Sequence, residues 1–132
     1  ISENDQRSAN KFLTSFSRLM RLVMENSEYD FISIQKELEI LGIYLELEHF
    51  RFKDKFDYKI YADESLDDDF EIPPMLIQPY IENAIWHGLR YKENSGNLNL
   101  KLSKRETDLH IAISDNGIGR KKSARKVRLF RW

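Results

Sequence analysis

The spacing of apolar residues changes once along this chain, near Asp54, and that change constrains the fold more than any other feature. Before it, Phe12, Phe16, Leu19, Met20 and Val23 recur at spacings of three and four, which places them on one face of a helix. Asn26-Ser-Glu-Tyr-Asp30 interrupts the pattern, and Ser33 is placed to cap a second helix. In that helix Ile34, Leu38, Leu41, Leu45 and Phe52 form one stripe, while Ile40, Tyr44 and Leu47 begin another. Two apolar faces require more than one neighbour. Either the helix packs inside its own domain, or the helical hairpin also pairs with a second copy as a bundle.

After Asp54 the period becomes two. Phe56, Tyr58, Ile60 and Ala62 alternate as a strand does, and the acidic run Asp63-Glu-Ser-Leu-Asp-Asp-Asp69 reads as a solvated loop. Pro73 and Pro74 open a third helix, since the first-turn amides of a helix have no intrahelical partner. Pro79 falls further in, so the start lies later or the first turn is distorted; Gly88 is a natural stop. Leu98, Leu100 and Leu102, then Leu109, Ile111 and Ile113, give two strands joined by Lys104-Arg-Glu-Thr-Asp108. They should form an antiparallel hairpin with one face on the core. The expected fold class is α+β: a helical hairpin followed by a helix layer on a mixed, mostly antiparallel sheet.

The 132 residues, 41% of them hydrophobic, suffice for a real core. The net charge of −1 conceals a division. Residues 120–132 hold seven basic residues and no acid, leaving 14 basic against 22 acidic residues, a net −8, in the first 119. An acidic body argues against nucleic acid as a ligand, because phosphate neutralisation needs a basic face. With no cysteine, disulfide and thiolate chemistry are excluded, which fits a reducing compartment. No apolar run reaches the roughly 18 residues that would span a bilayer. The start at Ile1 suggests an excised segment whose parent could carry membrane spans upstream.

The third helix carries the polar groups suited to chemistry. Ile77, Ile81 and Ile85, four apart, should pin it to the sheet. Asn83 and His87 share a neighbouring face, with Glu82 one step round. An asparagine carbonyl is a hard oxygen donor suited to Mg²⁺, which commonly takes its other ligands from water and phosphate. A glutamate beside it can orient a water or accept a proton in phosphoryl transfer. Each also has a plain structural role open to it: Glu82 as a surface charge, Asn83 as a buried hydrogen-bonder, His87 as a cation at a helix C-terminus. About thirty residues on, Asp115 ends a strand and leads into Asn-Gly-Ile-Gly119. A carboxylate there can accept a hydrogen bond from an exocyclic amine such as adenine N6, and Gly117 and Gly119 let the backbone approach a ring or phosphate. Asn-Gly is also a common turn dipeptide.

The segment Pro74-Met-Leu-Ile-Gln-Pro-Tyr-Ile-Glu-Asn-Ala-Ile-Trp-His-Gly88 closely resembles the N box of LytS-type sensor histidine kinases, and Asp115-Asn-Gly-Ile-Gly119 resembles their G1 box. The helix from Glu37 to Phe52 is similar to the segment preceding the N box in that family, and the resemblance covers most of residues 12–122. It implies a two-component sensor whose GHKL-type ATP-binding domain phosphorylates a histidine on a dimeric helical hairpin and passes the phosphoryl group to a response regulator. By that resemblance Asn83 ligates Mg²⁺, Glu82 assists phosphoryl transfer, His87 lies near the phosphates, and Asp115 binds adenine beside Gly117 and Gly119. The resemblance further implies a membrane-anchored parent with this region on the cytoplasmic side of the bacterial inner membrane. The expected division is a dimerisation-type hairpin over 1–54, a partial ATP-binding domain over 55–122 and a basic tail over 123–132.

Two departures from the family pattern bear on activity. Its phosphoacceptor histidine sits in an Asn-Pro-His-Phe-Leu-Phe-like motif, which is absent here. His49 lacks the preceding Asn-Pro and reads as a decoy, and His110 reads as a solvent-facing strand residue. The lid and the further glycine-rich phosphate loop of the family do not fit in the 13 residues after Gly119. The expectation is therefore a truncated chain, inactive alone, whose last residues could be foreign or frameshifted. The competing class is a non-catalytic dimerisation or regulator-docking module with a vestigial nucleotide pocket. The presence together of Glu82, Asn83, Asp115, Gly117 and Gly119 disfavours it for the parent. Another ATPase of the same nucleotide fold is disfavoured by the long hairpin.

Overall fold

The computed structural model describes residues 2–52, 56–87, 96–105, 108–115 and 123–129. Helix α1 (Glu3–Asn26) begins at Ser2, whose hydroxyl accepts from the Asp5 amide at 3.2 Å, with Glu3 and Asp5 favouring the positive end of the helix. It ends where the Asn26 carboxamide turns back onto the Leu22 carbonyl at 2.7 Å. A two-residue strand β1 (Ile32–Ser33) leads into helix α2 (Ile34–Arg51), and Ser33 caps α2 as its sequence position predicts, accepting from the Lys36 amide. The ion pairs Lys11 with Glu46 and Arg18 with Glu39 fix α1 and α2 as an antiparallel hairpin. These pairs are exposed and add little stability.

Strand β2 (Phe56–Ala62) is followed by the two-residue β3 (Glu71–Ile72), helix α3 (Gln78–His87), and strands β4 (Gly96–Arg105), β5 (Asp108–Asp115) and β6 (Ser123–Leu129). The main sheet has the order β2, β4, β5, β6, with β2 parallel to β4 and the other pairs antiparallel. A parallel pair needs a crossover, and the stretch containing α3 provides it. On β4, Leu98, Leu100 and Leu102 alternate inward while Asn97, Asn99 and Lys101 face out. Register places Leu100 opposite Ile113 and Leu102 opposite Ile111, so both strands present one apolar face. The architecture is the α+β class expected: N-terminal helices followed by a helix on a mixed sheet.

Two hydrophobic clusters share α2. One joins Ile34, Leu41 and Leu45 to Phe56, to the α3 residues Ile81 and Ile85, and to the inner face of β4 and β5. The other joins Leu19 and Leu22 of α1 to Ile40, Ile43 and Leu47. The two stripes read from the α2 sequence thus serve two different neighbours, and Tyr44 packs against both.

Helix α3 starts at Gln78, the later start that Pro79 allows; Pro73 and Pro74 lie in the turn before it, and Pro79 occupies the first turn, where its missing N–H breaks no helical bond. One sequence reading changes. Residues 123–129, read as part of a basic tail, form β6 on the outer edge of β5. The free backbone groups of an edge strand accept a partner without any apolar pattern in it, which is why composition alone did not reveal the pairing. Among the described residues no helix is long and apolar enough to cross a membrane.

Candidate functional site

The chemistry of α3 follows from which face is pinned. Ile77 just before it, and Ile81 and Ile85 within it, are fully buried, as their spacing of four predicts. That anchoring leaves Asn83 exposed and Glu82 half-buried. Glu82 is held by Gln78, whose side-chain amide donates to it at 3.2 Å across one helical turn. Asn83 therefore offers a carbonyl oxygen to solvent next to an oriented carboxylate. An amide oxygen of this kind is a hard donor whose chemistry suits Mg²⁺, an ion that commonly takes its other ligands from water and phosphate. His87 is the last residue of α3.

Helix α3 packs across β5, and Asp115 is the last residue of that strand, in register with Leu98 of β4 and Ser123 of β6. Gly117 and Gly119 lie outside the described residues. His49 packs edge-on against Phe56 and Tyr58, with ring centroids 5.5 and 5.9 Å away, which is the environment of a packing residue at the base of the hairpin. His110 is half-buried on β5.

The lead-in to α3 holds a residue that pattern reading passed over. Met75 has φ 63°, a left-handed conformation that costs a non-glycine residue about 1–3 kcal/mol and persists only when its surroundings enforce it. The enforcement comes from Glu37 on the first turn of α2. One carboxylate oxygen accepts from the Met75 amide and the other from the Ile77 amide, both at 3.1 Å. Glu37 is only 2% exposed, and burial holds its carboxyl above the usual glutamate range despite those backbone bonds, which act the other way. A signal was present in the sequence: Ile34, Glu37 and Leu41 share one stripe, and a carboxylate on an apolar stripe needs a partner.

A second polar group on α2 lies beside α3. Glu48, also buried, accepts from the Tyr44 hydroxyl and from Arg51, each at 3.2 Å. Burial, then the carboxylates of Glu48 on α2 and Glu82 on α3, push the Tyr44 hydroxyl far above its ordinary range. The Arg51 guanidinium stacks 4.5 Å from the ring centre of Trp86 on α3.

Comparison with known proteins bears on this arrangement. A family model described as histidine kinase matches residues 1–56. The sensor protein LytS of Oceanobacillus iheyensis is 36% identical over 115 residues, covering 87% of this chain and 20% of that protein. LytS of Staphylococcus epidermidis is 30% identical over 115 residues, covering 87% of this chain and 19% of that protein. YwpD of Bacillus subtilis is 33% identical over 121 residues, covering 90% of this chain and 43% of that protein. The chain thus spans about a fifth of the length of its LytS relatives. With the matched region running from the hairpin through α3 and the sheet, the chain belongs to the LytS-type sensor histidine kinases.

Proposed function

We propose that this chain is the hairpin and part of the GHKL-type ATP-binding region of a two-component sensor kinase that phosphorylates its own histidine and passes the phosphoryl group to a response regulator. The observation that carries the reading is the split of α3: Ile81 and Ile85, with Ile77 just before the helix, fully buried, and Asn83 exposed after an oriented Glu82. In this reading Asn83 would hold Mg²⁺, which when bound would supply neutralisation of phosphate charge. Glu82 orients the attacking group, His87 approaches the phosphates, and Asp115 accepts from adenine N6 beside Gly117 and Gly119. Residues 1–54 serve dimerisation and 55–122 serve nucleotide binding. The longer protein is anchored in the bacterial inner membrane with this region on its cytoplasmic side, and the chain by itself is inactive as a kinase.

A homodimer through the hairpin is supported by the exposed face of α1, where Leu13, Phe16, Met20 and Met24 follow spacings of three and four without cover. The test of the nucleotide reading is a Mg-ATP titration followed by amide shifts. Saturable shifts on α3 and at Asp115, lost in Asn83→Ala and Asp115→Asn, are the expected result. A folded chain whose amides ignore Mg-ATP, or controls that bind as well as the parent sequence, would sink it.

A further inference from the structure

We propose that Glu37 is a positioning residue for the nucleotide site: from the first turn of α2 its carboxylate sets the backbone turn that launches α3, and with it the placement of Glu82 and Asn83. This rests on the nucleotide reading of α3 given above.

The geometry is that of a two-pronged clamp. Each carboxylate oxygen takes one amide, on either side of Leu76, across 38 and 40 residues of sequence. The amides taken are not arbitrary. Met75 is the left-handed residue of the turn, and Ile77 immediately precedes the first helical residue, Gln78. The Ile77 carbonyl in turn accepts from Tyr80 at 3.1 Å and from Ile81 at 3.4 Å, so a continuous hydrogen-bonded path runs from Glu37 into the first turn of α3. Glu82 follows Ile81 directly.

The segment before the turn is tied to the same end of α2. The Ile34 amide donates to the Phe70 carbonyl at 2.6 Å, the Gln35 amide donates to the Asp68 carbonyl at 3.2 Å, and β1 pairs with β3. At the far end of α2, Arg51 stacks on Trp86. Helix α2 therefore grips the start of α3 by the clamp and its later half by a stacked cation. Because the other face of α2 carries α1, a shift of the hairpin is delivered to α3 through Glu37.

The test compares Glu37→Gln with Ile40→Val in the whole chain. The second change trims the α1-facing cluster, to which none of Met75, Leu76 and Ile77 belongs. Amide hydrogen exchange and Mg-ATP affinity are read at a temperature where circular dichroism shows all the proteins folded. The amide of Gln opposes an N–H where the carboxylate accepted one. Exchange at Met75, Ile77 and Ile81 should therefore rise about tenfold over that of β4 and β5, and affinity should fall by a similar factor. Ile40→Val should leave both at their starting values. Unchanged exchange in Glu37→Gln, equal loosening in Ile40→Val, or faster exchange with unchanged affinity overturns the proposal. Should the unmodified chain take no Mg-ATP, the nucleotide reading fails by itself and exchange alone decides the clamp. Should Glu37→Gln not fold, Glu37→Asp, which keeps the charge but shortens the reach, is read by the same criteria.

Discussion

A carboxylate on an apolar stripe is costly unless both oxygens find donors, and α2 carries two such residues. Glu48 meets a hydroxyl and a guanidinium, whereas Glu37 meets only neutral amides. That difference gives Glu37 a signature in pH. Its carboxyl is raised because burial outweighs the amide bonds, so the folded chain binds this proton more tightly than the unfolded chain. The associated stability is fully present below the ordinary glutamate value and is lost as pH rises through the raised folded value. Denaturant midpoints of the chain minus those of Glu37→Gln should therefore decline with rising pH across that window, and a flat difference would contradict the assignment. Tyr44→Phe removes the hydroxyl that donates to Glu48 and should cost about 1 kcal/mol in the same assay. Ser33→Ala, which leaves the Lys36 amide without its acceptor, should cost about 1 kcal/mol as well.

Elements with a strong period were legible in the sequence; those that depend on distant partners were not. The two stripes of α2, the pinning isoleucines of α3 and the β4–β5 hairpin follow from spacing alone, because each buries a face that its own residues define. The start of α3 was left open between Pro73-Pro74 and a later position, since those prolines satisfy the rule for a helix start while the actual turn is set by Glu37, remote in sequence. Pairing of β6 depends on the free edge of β5, a property of the neighbour. The placement of Glu82 and Asn83 outside the buried face of α3 was legible because they flank a periodic core face, and the turn held by Glu37 was not. The uncovered stripe of α1 yields a prediction at this scale. Phe16→Glu combined with Met20→Glu places charge on residues 45% and 41% exposed, so helical content should persist. Sedimentation equilibrium should then show loss of a dimer that the unmodified chain forms; a chain monomeric before the change would remove the dimer reading.

At the scale of the molecule, the two clusters meet through α2 and differ in what they support. The sheet cluster gathers α2, α3 and four strands, whereas the α1 cluster joins α1 to α2 and to Ile32 of β1. Deleting volume from each should therefore have different reach. Ile81→Ala opens a cavity at a fully buried site and should cost about 2–5 kcal/mol, lowering protection across β4, β5 and α2 together because all of them line that cluster. Leu22→Ala trims a residue of the α1-facing cluster, to which no residue of β4 or β5 belongs, so α1 should open locally while β4 and β5 keep their protection. Native-state hydrogen exchange separates the cases, and equal loss of protection in the strands from both variants would mean one cooperative unit. The outcome bears on signalling in the proposed kinase. If α1 can loosen while α2 remains fixed on the sheet, a disturbance of the hairpin reaches α3 only when it moves α2 itself, and the Glu37 clamp and the Arg51 stack then act beside the shared core of Leu41, Leu45, Ile81 and Ile85.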